Sequence, residues 1–550
     1  MLHPTVFNTS QVCYQLGARH AVMSPGSRNA ALTISFARNQ LIKKWIIPDE
    51  RSAAFIALGI AQETKAPVVL CCTSGTALLN YAPAIAEAYY RQIPLIVLSA
   101  DRPPELIDQR DGQTIRQFEA LKNHVKESVQ LPAISSDIEA KKYQEDLINA
   151  IIASKELPIG PVHANIPFRE PFYPGSEDKL EFHEIQISKS NNGAENPNSF
   201  DLPSAKKILM LFGQDEPDQE TQNLINQISD KIPVIKSPLN NLEVGIDHVD
   251  GLIGNQENLV PDLLITSGLS ILSKKLKNFI RKHKPQTHLH FDEAGVPVDT
   301  FQTNPKLIKA SIKDCLNQLI DNEVDTEFLG NWKNYEECSK KAITKFINSS
   351  DFSETKATFR IINSIPSNSF LHLSNSMPVR YVDLFGVKNG VICRSNRGTS
   401  GIDGCTSTAL GNALVSDKLN FLITGDLAFL YDRNAFFHNY KVPNLRVIVM
   451  NNQGGGIFRL IDGPSKLPEL EDYFETRHNR TAEYICAENQ LEYYPIKSDD
   501  QLNESWDDFL KSSDNAKVME IFTDPKTNQE TYKNLRTYID EQINKLEESS

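Results

Sequence analysis

From the amino terminus to about residue 172, short apolar runs alternate with longer segments of helical period. The runs at 20–23, 68–72, 95–98 and 162–166 are too brief for helices and almost continuously apolar, so they predict strands buried on both faces. Between them, 29–40, 50–64, 77–91 and 137–154 carry apolar residues at helical spacing. Such alternation predicts a parallel sheet covered on both sides. The rhythm returns at 208–213, 263–267 and 288–292, and again at 369–373, 390–393, 421–424, 447–450 and 517–521. A helix is expected from about Tyr431, and the charged amphipathic stretch 528–548 predicts another with a solvated face.

The stretch 188–203, with Ser190-Asn191-Asn192-Gly193 and Asn196-Pro197-Asn198-Ser199, reads as an exposed connection, and 321–355 as a polar helical one. The division that follows is 1–185, 200–330 and 355–550: an α/β chain of three doubly wound parallel-sheet domains. The outer two share length and strand rhythm, which fits related domains flanking a middle one. No G-x-G-x-x-G follows the first strand of the middle unit, so nothing in it asks for a dinucleotide.

At 550 residues the chain is too long for one core. Its 40% hydrophobic and 23% charged residues are a globular composition. A net charge of −13 argues against a general binder of nucleic acid or anionic membranes. No run is long enough to cross a bilayer. The first residues carry neither a basic flank nor an apolar signal core, and the eight scattered cysteines lack paired metal spacing. Reduced thiols in a cytoplasmic protein are the expectation.

Candidate chemistry gathers at strand ends. The run 421–424 would deliver Asp426 to the carboxyl edge, where open parallel sheets keep their ligands. The run 447–450 ends on Asn451-Asn452-Gln453-Gly454-Gly455-Gly456. A carboxylate and amide oxygens at neighbouring strand ends suit a small hard cation that accompanies phosphates, and the glycines let backbone approach closely. Taken singly, each half also reads as a helix cap or a glycine-rich turn. Ser24-Pro25-Gly26-Ser27-Arg28 and Thr73-Ser74-Gly75-Thr76 offer free N–H groups at helix starts, which suit anions. Glu50 opens an alanine-rich helix, where a first-turn acid also suits the helix dipole.

Gly425-Asp426-Leu427 through Asn451-Asn452 resembles the diphosphate-and-metal motif of thiamine-diphosphate-dependent enzymes, with leucine where most of them have glycine. The segment from Pro48 to Ala61 resembles their glutamate segment. Ser24-Pro25-Gly26-Ser27-Arg28-Asn29, Ser99-Ala100-Asp101-Arg102-Pro103-Pro104-Glu105-Leu106 and Asn396-Arg397-Gly398-Thr399-Ser400-Gly401-Ile402-Asp403-Gly404 together look like one subfamily. That subfamily is the 2-succinyl-5-enolpyruvyl-6-hydroxy-3-cyclohexene-1-carboxylate synthases of menaquinone biosynthesis, which have Gly-Asp-Leu in the motif.

The resemblance implies a thiamine-diphosphate-binding fold, with the pyrimidine held by 1–185 and the diphosphate by 355–550. It implies that Asp426, Asn452 and the Gly454 carbonyl hold magnesium or manganese. Cofactor contacts would come from Glu50, Ser74, Ile402, Gly425, Asp426, Leu427, Asn452 and Gly455, with Ile402 as the wedge that bends the cofactor. Glu50 would be catalytic: its carboxylate against the pyrimidine favours the imino tautomer, whose amine takes the thiazolium proton. The implied reaction decarboxylates 2-oxoglutarate and adds the succinyl unit to isochorismate in a 1,4-addition. These substrates carry carboxylates, which arginine grips in a fork. The implied binding set is Ser27, Arg28, Arg102, Gln113, Asn375, Arg380 and Arg397, with Ile457 and Phe458 lining the pocket.

In the resembling family the cofactor lies between two subunits, which implies a homodimer, possibly a homotetramer, with no nucleic-acid or membrane partner. His124, His163, His290 and His372 lie in or near apolar sequence and are expected to be structural. Two other readings stay open. Another thiamine-dependent carboligase or 2-oxoacid decarboxylase would keep Glu50, Asp426 and Asn452 without needing the arginines. A non-catalytic anion-binding α/β protein would need none of them.

Overall fold

A computed structural model of the chain describes residues 3–170, 173, 183 and 200–549. The connection expected at 188–203 falls outside the described residues except for its last four positions.

Three sheets follow one another along the chain, and every strand pairing among the described residues is parallel. The first contains β1 (His20–Met23), β2 (Lys43–Ile46), β3 (Val68–Cys72), β4 (Leu95–Asp101), β5 (Glu127–Gln130) and β6 (Val162–Pro167), in the order β2-β1-β3-β4-β6-β5. The second contains β7 (Ile208–Phe212), β8 (Val234–Ile235), β9 (Leu263–Ser267), β10 (Thr287–Phe291) and β11 (Lys306–Ile308), ordered β11-β10-β9-β7-β8. The third contains β12 (Ser369–Leu373), β13 (Val391–Arg394), β14 (Asn420–Gly425), β15 (Leu445–Asn451), β16 (Glu492–Ile496) and β17 (Lys517–Phe522), ordered β13-β12-β14-β15-β17-β16. First and third sheets therefore have the same topology, strand for strand.

The interior strands are apolar because helices cover both faces; β3, β4 and β15 are buried at every position. The five strands that the apolar runs did not predict, β2, β5, β8, β11 and β16, all lie at sheet edges. In β2 and β5 one side meets solvent, and Lys-Lys-Trp-Ile and Glu-Ser-Val-Gln suffice, whereas β8 is buried but only two residues long.

Two helical expectations need correction and a third holds. The segment 77–91 is two helices, Thr76–Asn80 and Ala82–Tyr90, because Pro83 favours a new helix start. No helix starts at Tyr431: one runs Asp426–Tyr431, so Asp426 is its first residue rather than part of a loop before it. The tail helix expected over 528–548 is present as Pro525–Ser549 and amphipathic: most of its polar positions face solvent, while Leu535, Ile539 and Ile543 are buried in the core shared with the Thr326–Ser349 helix.

First and third units pack through the Glu50–Thr64 and Cys405–Ala413 helices. All three units meet at Arg394, which ends β13. Its guanidinium reaches Glu63 of the first unit at 2.6 Å and Glu216, just after β7, at 2.8 Å. The buried fork is thus neutralised from both neighbouring units, as a buried arginine requires.

Candidate active site

The third sheet brings its carboxyl ends to one cavity of about 360 Å³. Asn375 follows β12, and Arg380 stands on the Met377–Phe385 helix beyond it. Arg397 and Ile402 belong to the loop after β13. Gly425, Asp426 and Leu427 close β14; Asn452, Gly454 and Gly455 follow β15, with Ile457 and Phe458 on the next turn. These twelve sequence-predicted residues share one cavity.

Its inner end is built of oxygen donors. Asp426 Oδ2 accepts the Gly454 N–H at 3.0 Å, and Oδ1 accepts the Leu427 N–H at 2.6 Å. Asn452 Nδ2 donates to Glu354 Oε2 at 2.9 Å. That bond fixes the amide's orientation, and Asn452 Oδ1 is left buried without a hydrogen-bond partner among the described residues. The Gly454 carbonyl accepts only locally, from the Gly456 N–H at 3.0 Å, and a carbonyl oxygen has a second lone pair. Gly454 is needed on steric grounds: a Cβ there would come within 2.6 Å of the Glu475 carbonyl oxygen. One carboxylate, one orphaned amide oxygen and one backbone carbonyl form a hard-donor set that fits magnesium or manganese. Among the described residues no cluster of three His, Cys, Asp or Glu side chains offers a softer alternative.

The outer part is cationic. Arg380 Nη1 donates to the Ser376 carbonyl and Arg397 Nη1 to Asn375 Oδ1, the latter at 2.9 Å. Both bonds go to neutral oxygens, so neither guanidinium is neutralised by them. Burial lowers the pKa of each, and the Arg380 charge adds to the effect on Arg397. An anionic ligand would relieve this repulsion.

Sequence reasoning missed several residues here. Glu354 is fully buried against Asn452, and burial pushes its carboxyl up to about 7, helped by the Asp426 charge. His478 Nε2 lies 3.5 Å from Asp426 Oδ2. Ser376 and Ser400 line the cavity with φ of 78° and 62°, strained values that cluster at functional sites. In sequence, Glu354 follows Ser353, whose side chain accepts the Lys356 N–H, so it looks like any first-turn acid.

The remaining candidates lie at the carboxyl ends of the first sheet. Ser27 and Arg28 follow β1; Arg28 is buried, with Nη1 donating to the Phe168 carbonyl at 3.3 Å and Nη2 3.7 Å from Glu170. Glu50 follows β2 at the first position of its helix, and burial raises its pKa. Ser74 follows β3, with its buried hydroxyl unpartnered among the described residues. Arg102 follows β4 and donates from Nη2 to the Gly112 carbonyl at 2.9 Å. Gln113 sits beside Gly75 with φ of 55°. None of these residues lines the cavity at Asp426, whose lining begins at Glu354. Within one chain, these residues and those of the Asp426 cavity are two separate groups.

His163, His290 and His372 are buried and hydrogen-bonded to Ser99, Thr266 and Asn420 respectively. His124 packs edge-on against Tyr89 and Tyr90. All eight cysteines are free thiols. Among the described residues no helix is long and apolar enough to cross a membrane.

Residues 9–121 match the family described as thiamine pyrophosphate enzyme, N-terminal TPP binding domain. A 2-succinyl-5-enolpyruvyl-6-hydroxy-3-cyclohexene-1-carboxylate synthase of Cytophaga hutchinsonii is 42% identical over 97% of this chain and 98% of its own. Proteins of the same name from Flavobacterium psychrophilum and Flavobacterium johnsoniae are each 38% identical, over 96% and 93% of this chain and 97% and 95% of theirs.

Proposed function

The chain belongs to the 2-succinyl-5-enolpyruvyl-6-hydroxy-3-cyclohexene-1-carboxylate synthase family, and on that premise we propose how its residues serve the reaction. It is a thiamine-diphosphate-dependent transferase that decarboxylates 2-oxoglutarate and adds the succinyl unit to isochorismate. Bound thiamine diphosphate supplies the electron sink that lets the 2-oxoacid lose carbon dioxide and its next carbon act as a nucleophile.

The chain's own residues bind, orient and move a proton. Asp426, Asn452 Oδ1 and the Gly454 carbonyl hold magnesium or manganese, and Gly425, Leu427 and Gly455 let the diphosphate lie against backbone. Ile402 supports the cofactor from the apolar side. Glu50, with its pKa raised by burial, holds a proton at the pyrimidine ring, and Ser74 adds a hydroxyl on that half. Arg380 and Arg397, the latter held in place by Asn375, receive a substrate carboxylate, and Ser27, Arg28, Arg102 and Gln113 receive another from the opposite half. Ile457 and Phe458 keep the reacting carbons out of water.

The observation that carries this reading is the meeting of an orphaned amide oxygen with two arginines in one cavity at the strand ends. Metal and diphosphate chemistry accounts for the first, and carboxylate recognition for the second. Because the Glu50 half-site does not reach that cavity within one chain, the working unit is a homodimer with each site shared between subunits. Further pairing to a homotetramer is compatible with that unit. The enzyme works in the cytoplasm on small-molecule substrates.

Supplying 2-oxoglutarate alone and then with isochorismate, and following carbon dioxide and product mass, tests the reaction. Product carrying both substrates' carbon is expected; carbon dioxide release that ignores isochorismate would overturn the assignment in favour of a simple decarboxylase. Calorimetry with thiamine diphosphate, with and without the metal, tests the donor set. Metal-independent binding would overturn it.

A further inference from the structure

We infer that Glu87, on the first unit, is a positioning residue for Arg397, on the third unit of the same chain; this rests on the reading of Arg397 as a substrate-carboxylate ligand. Glu87 stands on the Ala82–Tyr90 helix and is 1% exposed. Both its oxygens are engaged by the loop that carries Arg397. Oε1 accepts the Gly398 N–H at 2.8 Å; Oε2 accepts the Thr399 N–H at 2.7 Å and the Thr399 hydroxyl at 2.8 Å. A buried carboxylate is tolerated only where donors surround it, and here the donors are consecutive groups of one loop.

The loop is shaped to receive it. A Cβ at Gly398 would lie 2.8 Å from the Glu87 carbonyl oxygen and 3.0 Å from Tyr90 Cβ, so glycine lets the helix approach. On the other side of Arg397, the Ser395 carbonyl accepts from Arg91 Nη1 at 2.6 Å and from Gln214 Nε2 at 2.8 Å. Arg397 is thus clamped on both sides, with Glu87 and Arg91 one helical turn apart. Its Nη1 reaches Asn375, while Asn375 Nδ2 donates back to the Asn396 and Gly401 carbonyls at 2.7 and 2.6 Å. Without the Glu87 anchor, residues 398 and 399 would leave two backbone N–H groups free to rotate the loop, and the guanidinium would lose its fixed direction.

Since Glu50 belongs to that same first unit, one unit serves two sites: it positions an arginine in its own chain and offers its proton-holding carboxylate to the partner.

The test uses the full chain loaded with thiamine diphosphate and magnesium, and compares Glu87→Gln, Arg397→Ala and the double variant. Glutamine places an NH₂ against one backbone N–H, so Glu87→Gln is expected to raise, tenfold or more, the KM of the same substrate that Arg397→Ala weakens. Cofactor affinity should stay within twofold, and in the Arg397→Ala background Glu87→Gln should add less than twofold. If Glu87→Gln leaves that KM unchanged while Arg397→Ala raises it, the positioning role is wrong and the reading of Arg397 stands. If Arg397→Ala itself changes no KM, both fall. Equal effects of Glu87→Gln with and without Arg397 also overturn the role. Thr399→Val, which loses one hydroxyl bond, gives the same comparison should Glu87→Gln not fold.

Discussion

Gly59 and Thr408 touch backbone to backbone: a Cβ at Gly59 would collide with the Thr408 carbonyl oxygen. Gly411 makes the reciprocal approach, to the Ile56 carbonyl. The two helices that join the outer units therefore cross at glycines, and one begins with Glu50 while the other follows the Arg397 loop.

Gly59→Ala forces those helices apart. Overpacking of this kind costs roughly 1–3 kcal/mol, and the loss should appear as a lower denaturant midpoint. Gly17→Ala, where a Cβ would meet nothing within 4 Å but φ is 108°, gives a control for backbone strain alone. A Gly59→Ala protein as stable as the parent would mean that the close approach carries no weight.

Glu50→Gln keeps the shape of the side chain but cannot exchange a proton in the same way. Thiamine diphosphate affinity should stay within a few-fold while most turnover is lost. Full activity in this variant would remove Glu50 from the mechanism.

Asp426→Ala removes the carboxylate at the end of β14, leaving Asn452 Oδ1 and the Gly454 carbonyl without their charged companion. Metal-dependent cofactor binding by calorimetry should vanish. Binding within a few-fold of the parent's would place the metal elsewhere.

The pH dependence of stability includes contributions of opposite sign, of which His163 and Asp432 give one each. Burial holds the His163 ring down to about 4, whereas an unfolded histidine titrates near about 6.5. Its contribution is therefore complete above that value and drains away as pH falls toward 4, by about 2 kcal/mol at pH 5. Asp432, pushed up to about 7 by burial, acts in the other sense: what it contributes is present in acid and lost as pH rises through 7. His163→Gln isolates the first part. Its unfolding free energy should fall less than the parent's between pH 7 and pH 5, and identical slopes would contradict the assignment.

The interior of the fold was legible because burial on both faces demands apolar runs, and β3, β4, β14 and β15 supply them. Edge strands such as β2 and β5 are half in water, so their composition does not announce them. At the site, residues inside long motifs, Asp426 and Arg397 among them, were visible. Glu354 and Glu87 were not. Each works through a partner 98 or 311 positions away, Asn452 in one case and Gly398 in the other. A lone acid in a helix bears no mark of such a contact.

The separation of the Glu50 and Asp426 half-sites has a genetic consequence. Mix inactive Glu50→Gln subunits with inactive Asp426→Ala subunits, and on the proposed pairing a hybrid pair gathers both lesions into one centre. Its other centre is then intact, so two dead proteins recover activity when they exchange partners.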